Sequence, residues 1–418
     1  MSAPIKWPIV RLETLAESKK NAIVGGPFGS NLVSADYVEE GVPVVRGVNL
    51  PKDASFSGDR LVFVSESKAD SLKQNLAKPG DLIFTQRGTL GQVGIAPRGT
   101  PYDRFLISQS QMKMSVDQEK CDPRYLYYFF RVPSTVDYIH NHALQSGVPH
   151  INLGILRRFE VVCPPVDIQR KIAGVLTAYD DLIENNKRRI TLLENMAEEI
   201  YREWFVRFRF PGWQEAEFEK GYPASWRAVK FDGFCKLKRG YDLPDSKVMD
   251  GPYPVLASTS VKTFHSEYKV KAPVITTGRS GSLGTVLFKR ENCWPLNTTL
   301  YVQNFKGNSP FFVYFTLKNM PLEAFNSGAG VPSLNRNHLA GLRIVVPDEA
   351  AQKAFNDVVG PIFRQVDTLQ EQFEYLLKTK AQLLPRLISG KLSVENLDIQ
   401  FPPSMQSDES DNADEAAA

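Results

Sequence analysis

Four cysteines, two closely spaced histidines, a glycine-rich turn and two proline pairs are the parts of this 418-residue sequence that could do chemistry. Cys121, Cys163, Cys235 and Cys293 match neither a zinc-binding pattern nor a CxxC redox pair, so they read as reduced, mostly buried thiols. His140 and His142 stand two apart with no third ligand type near them, which falls short of a zinc site. RGTLGQVG, from Arg87, has the glycines of a phosphate loop but no Lys-Ser/Thr after them, and reads as a hairpin turn. No GxxxxGK[ST], GxSxG or HExxH occurs. The prolines of CPPV and FPPS lack the Asn or Asp and the aromatic of an (N/D)PP(Y/F) site, which presents a flipped base's amino group to a methyl donor. The reading is therefore of a chain with no catalytic residues, no metal and no cofactor of its own.

What the sequence does carry is a repeat. Laying each residue on the one 183 places later brings GVPHIN (147–152) onto GVPSLN (330–335), RRFEVVCPP onto GLRIVVPD, and Gln169 onto Gln352. RGTLGQVG resembles SGSLGTV from Ser280, and DPRYLYYFF (122–130) resembles SPFFVYFTL (309–317), with the offset drifting as loops permit. Trp7 and Trp226 open the two copies. Short apolar runs such as VPVVRGVNL, RLVFVS, DLIFT, PVITT and TVLFK, bounded by Gly, Pro and Asp, predict α+β domains built on hairpins. The aromatic stretches behind Pro123 and Pro310 are expected to form buried helices.

The helical part of the repeat keeps phase. Ile172, Leu176, Tyr179, Ile183, Asn186, Ile190, Leu193, Ala197, Ile200 and Trp204 alternate steps of four and three. Their counterparts are Phe355, Val359, Ile362, Val366, Leu369, Phe373, Leu376, Lys380, Leu383 and Leu387, so each series has one polar member. This periodicity is that of a coiled-coil seam, and each seam of about 33 residues implies a helix on the order of 50 Å long. Pro211 and Gly212 should stop the first helix and Gly390 cap the second, while Gly360 and Pro361 should bend the second or begin it anew. The expected arrangement is two long antiparallel coiled-coil helices that join and space two strand-rich domains in tandem. The alternative is that each helix covers its own domain.

The segments are residues 1–165 (first domain), 166–209 (central helix), 210–346 (second domain), 347–390 (C-terminal helix) and 391–418 (an acidic tail expected to be disordered). Net charge is +3 overall, with Lys and Arg in excess by 3 in the first domain and by 7 in the second, which allows a polyanionic partner. No apolar run of about 18 residues and no signal-peptide pattern is found, so a cytoplasmic protein without membrane contact is expected.

Taken in order and in duplicate, VGGPFGSNL (24–32), the GVPHIN/GVPSLN pair, the strand and P-x4-Q turn after each, and the two helices ending in LLPRLISGKL (383–392) resemble the specificity (S) subunit of type I restriction-modification enzymes over about residues 5–395. The resemblance implies two target-recognition domains reading the halves of a split, asymmetric site in double-stranded DNA. Helices would act as a ruler and as the dock for two methyltransferase subunits, with motor-nuclease subunits joining in a prokaryotic, nucleoid-associated complex. S-adenosylmethionine chemistry on adenine N6, ATP and Mg would belong to those partners. Half-sites one helical turn apart, about 34 to 36 Å, fall within the reach of such helices.

Side chains beside the repeated glycine turns are the candidates for contact with DNA, because Arg suits guanine edges, Asn and Gln adenine edges, and hydroxyls phosphates. In the first copy these are Arg46, Gln86, Arg87, Thr89, Ser108 and Gln109. In the second they are Ser258, Thr259, Thr277, Arg279, Ser280, Asn297 and Thr298. His150 and Asn152, with Asn335 and Arg336, either join them or cap the helices that follow. Two rival readings are a self-contained DNA methyltransferase, disfavoured by the missing motif, and a coiled-coil assembly scaffold that never meets DNA.

Overall fold

The structure is a computed structural model and describes residues 7–144, 148–328 and 330–405. Gly147, which opens the first repeated turn, lies outside them, as does the end of the acidic tail from residue 406. The chain forms two compact units, Met1–Lys187 with Glu371–Ala418, and Arg188–Gln370. Each unit takes in one globular copy and a segment of both long helices, where the sequence reading had set the helices apart.

In the first unit, β1 (Ile9–Arg11) and four further strands, β2 (Ile23–Gly25), β3 (Leu82–Thr85), β4 (Val93–Ile95) and β5 (Gln111–Met114), precede α1 (Pro123–Phe129). The short α2 (Leu153–Arg157), then β6 (Glu160–Val162), lead into α3 (Val166–Tyr201). An antiparallel sheet has the order β2-β5-β3-β4, and β1 pairs with β6, closing the copy just before the long helix. A five-stranded sheet flanks this, with Val42–Val45 and Phe105–Ile107 side by side and parallel. Pro123 in the first turn and the Asp122 carboxylate, accepting from Arg124 N (2.8 Å) and Tyr125 N (3.1 Å), start α1, whose Tyr125 to Phe129 are all buried.

The second unit repeats the plan with β7 (Arg227–Lys230), β8 (Lys236–Arg239), β9 (Val274–Gly278), β10 (Val286–Lys289), β11 (Thr299–Asn304), α4 (Pro310–Lys318), α5 (Arg336–Leu339), β12 (Arg343–Val346) and α6 (Glu349–Ile388). Its main sheet is β8-β11-β9-β10, β7 pairs with β12, and Ser309 caps α4 ahead of Pro310. Here the flanking sheet has only three strands, but it too pairs two of them in parallel, Tyr253–Leu256 with Trp294–Pro295. The glycine turns are hairpins in both copies. Gly88 and Gly91 in the first, and Gly281 and Gly284 in the second, all hold φ between 81° and 91°, a region open to glycine.

All twenty seam residues are buried or half-buried. In the first unit Ile168, Ile172, Ala173 and Leu176 of α3 share a core with Leu384, Leu387 and Ile388 of α6, and Asp180 pairs with Lys380. The two segments therefore run in opposite directions. In the second unit Ala197, Tyr201 and Phe205 share a core with Phe355, Val359 and Ile362. Ala173, Phe363, Leu384 and Ile388, outside the seam, are buried as well, because each segment also packs on its globular copy, which widens the apolar face.

Three expectations need correction. The second helix does not begin anew at Pro361: α6 continues through Gly360 and Pro361, since burial of Val359, Ile362 and Phe363 outweighs a local proline penalty of about 3 kcal/mol. Regular α3 stops at Tyr201 and continues as a π-helical turn, Arg202–Val206, so Trp204 has left the seam's phase and Phe205 is the more buried ring. Finally, residues 391–405 are packed: Val394 is buried, Leu392, Ile399 and Met405 lie on the first unit's core, and Lys171 Nζ donates to Glu395 O (2.7 Å). These apolar residues supply the burial that the tail's overall acidity concealed.

Candidate nucleic-acid interface

Three loops of the first unit bond directly to residues 108–111, and a fourth joins them through Gln86 and Arg87. The carbonyl of Gln111 accepts from Gly26 N (2.8 Å), and that of Ser110 from Gln86 N (2.7 Å) and Arg87 N (3.4 Å). Gln109 Nε2 donates to Gly29 O and Leu32 O, both at 2.6 Å. Ser108 N donates to Val45 O (2.9 Å), at the end of the strand that leads into Arg46. Gln86 O accepts from Ile151 N (3.0 Å), and Arg87 bridges to His150, so the repeated GVPHIN turn is laced to the glycine hairpin. The loops are close-packed. A Cβ on Gly26 would stand 2.0 Å from Ser108 O.

From this frame Arg87, Thr89 and Gln109 are exposed, while Arg46, Gln86, Ser108 and His150 are half-buried. Thr89 Oγ1 donates to Gln92, Ser108 Oγ to Gln111, and Arg46 Nη2 to Arg60 O. The Arg87 guanidinium has no hydrogen bond or ion pair among the described residues, which leaves its fork of donors open to a planar acceptor pair.

The second unit repeats the backbone bonds of the frame, though not the two that Gln109 makes. Thr298 O accepts from Arg279 N (2.8 Å) and Ser280 N (3.1 Å), Thr299 O accepts from Gly240 N (3.1 Å), Arg279 O accepts from Leu334 N (2.8 Å), and Ser280 bridges to Ser333. What stands on the frame differs: Arg279 occupies the place of Gln86 and Ser280 that of Arg87. Ser280, Asn297 and Thr298 are half-buried and Thr259 is exposed. Arg279 Nη1 donates to Asn297 O (3.0 Å), and Asn297 Nδ2 to Asp242.

Several candidates are committed elsewhere. Thr277 is 1% exposed within β9, with its hydroxyl unpartnered, because β9 is an inner strand of its sheet and all five of its residues are buried; it cannot reach a ligand. Ser258 Oγ donates to the carbonyls of Ser280 and Thr298 (both 3.0 Å), stitching loops together. Asn152 and Asn335 cap α2 and α5, accepting from Ile155 N (2.9 Å) and Asn337 N (3.0 Å), and Arg336 Nη1 donates to Leu237 O (3.3 Å).

Sequence reasoning overlooked Phe28, which is 87% exposed in the loop that Gln109 pins, next to Gly29 at φ +44°. The available signal was a large apolar residue bracketed by glycines in GGPFGS. It also overlooked Val148 and Val331, 56% and 60% exposed before the prolines of the repeated turns. No group of three or more His, Cys, Asp or Glu able to hold a metal occurs among the described residues, and His142 stacks on Tyr138 at 3.8 Å. No described helix is long and apolar enough to cross a membrane.

Two like-built units with matched frames and unlike side chains define a tandem recognition architecture. Residues 4–195 and 223–377 match the sequence pattern described as "Type I restriction modification DNA specificity domain", and the chain belongs to that family, with the domain present twice. It is 25% identical to the type I restriction enzyme MjaIX specificity subunit of Methanocaldococcus jannaschii, over 94% of this chain and 95% of the relative. The putative MjaX specificity subunit of the same organism is 22% identical, again over 94% and 95%. Among solved structures, the type I restriction-modification S subunit from M. genitalium aligns over 92% of this chain and 96% of its own, with a TM-score of 0.58 at 15% identity, a likeness of fold.

Proposed function

We propose that the chain reads a bipartite, asymmetric sequence in double-stranded DNA, one half-site through each unit, with α3 and α6 fixing the spacing and docking two methyltransferase subunits. It contributes recognition and no catalysis. S-adenosylmethionine, ATP and Mg act in the partner subunits, which modify adenine N6 and, where a motor-nuclease subunit joins, translocate and cleave. A prokaryotic cytoplasm holding the nucleoid is the setting this implies.

One observation supports this reading above the others: the backbone bonds that hold the loops are the same in both units, while Gln86, Arg87 and His150 give way to Arg279, Ser280 and Ser333. A shared frame carrying different donors and acceptors suits two different base sequences. Phe28 adds an apolar surface beside Gln109 suited to a thymine methyl or a base step. Selection from a randomised oligonucleotide library, with the methyltransferase subunits present, tests the proposal. Two unlike base clusters at one fixed spacing are expected; enrichment of no sequence would leave a scaffold, and DNA methylation by the purified chain with methyl donor alone would establish an enzyme.

A further inference from the structure

At equivalent places the two helix pairings hold different chemistry. In the first unit Asp180 Oδ1 is paired with Lys380 Nζ, and Asp180 Oδ2 accepts from Tyr128 Oη (2.7 Å), which also meets Thr177 Oγ1 (3.1 Å). The Lys380 ammonium lies 5.3 Å from the centre of the Tyr128 ring, and its side chain is only 12% exposed. In the second unit the repeat places Phe315 for Tyr128, Phe363 for Asp180 and Ala197 for Lys380. All three are buried, and the two rings are 6.0 Å apart.

We propose that Tyr128, Asp180 and Lys380 form a pairing code that holds the end of α6 on the start of α3 in the same chain and rejects a second copy of the chain. Because α3 and α6 carry apolar faces of one phase, α3–α3 and α6–α6 pairing between two copies is open to them. In an α6–α6 pair Lys380 would enter the ring pocket of Phe315 and Phe363 without a carboxylate. In an α3–α3 pair Ala197 would face Asp180, leaving that carboxylate without its ammonium and a void where the lysine stem had lain. Stripping one partner from a buried pair is strongly unfavourable, whereas replacing both by apolar groups is not, so the network discriminates between partners more than it stabilises the right one.

The test uses the full chain. The triple variant Y128F/D180F/K380A, which copies the second unit, should raise the dimer fraction in sedimentation by about ten-fold or more over the parent, consistent with the removal of an unpaired buried charge from the wrong pairing. Chains labelled separately with donor and acceptor and refolded together should then show energy transfer. Lys380→Met, which needs no new packing, should move in the same direction and decides the matter if the triple variant does not fold. The charge exchange D180K/K380D should stay as monomeric as the parent. Folded variants lacking the network that dimerise no more than the parent, or a charge exchange that dimerises as much as the triple variant, would overturn the code.

Discussion

Gln169 and Gln352, 183 residues apart, make the same two bonds. Each side-chain oxygen accepts the amide that starts its unit's aromatic helix, Asp122 N at 2.9 Å and Ser309 N at 2.7 Å. Each side-chain nitrogen donates to the carbonyl of a proline five residues earlier, Pro164 at 2.7 Å and Pro347 at 3.0 Å. Both residues are buried. This clamp sets how the long helix leaves its globular copy.

Replacing either glutamine by alanine orphans a buried backbone amide and a proline carbonyl. We expect each of Gln169→Ala and Gln352→Ala to destabilise the chain by about 1–3 kcal/mol in urea unfolding. The two clamps share no hydrogen-bond partner among the described residues, so the double variant should lose the sum to within about 0.5 kcal/mol.

This clamp shows how much the sequence revealed. The offset of 183 paired Gln169 with Gln352 before any bond was visible, and the strands, the buried aromatic helices and the buried or half-buried faces of the two long helices, except at Trp204, follow from periodicity and from proline or glycine placement. What composition could not give was three-dimensional competition for each polar side chain. Thr277 and Arg279 are two residues apart, yet Thr277 lies within β9, all of whose residues are buried, while Arg279 stands just past the strand's end on the loop frame, a boundary that needs the register of β9 on β11. Asn152 and Asn335 looked equally suited to capping and to base contact until the short helices after them were placed. Phe28 was passed over because a lone phenylalanine usually means core.

Thr277→Val tests the correction directly. Its hydroxyl is buried without a partner, so the valine variant should be unchanged or more stable by up to about 1 kcal/mol, with an unaltered selected DNA sequence. A change in the bases enriched would return Thr277 to the interface.

Arg87→Ala should weaken binding by about 1–3 kcal/mol at one base position if the guanidinium forks onto guanine. A loss equal across sequences, with a shallower salt dependence, would make it a phosphate contact instead. Phe28→Ala should weaken binding with no change in the salt dependence, measured by fluorescence anisotropy.

The thiols should separate by pH. A hydrogen bond from Cys121, with help from Gln169, brings Cys163 down to about 7, while burial pushes Cys235 and Cys293 up to about 12. Iodoacetamide should therefore label half-buried Cys163 first, with a rate midpoint near pH 7 that Cys121→Ala moves up towards 9.0. Stability follows by linkage. The Cys163 contribution is fully present above pH 9.0 and is lost as pH falls through about 7, whereas those of Cys235 and Cys293 are present below 9.0 and are lost as pH rises towards 12.

Removal of one heptad, Ile183 to Arg189, from α3 puts the proposed ruler to the most direct test. Library selection with the methyltransferase subunits should return the parent's two base clusters at a changed spacing, or no complex at all. Altered bases in either cluster, with the spacing of the parent retained, would contradict the account.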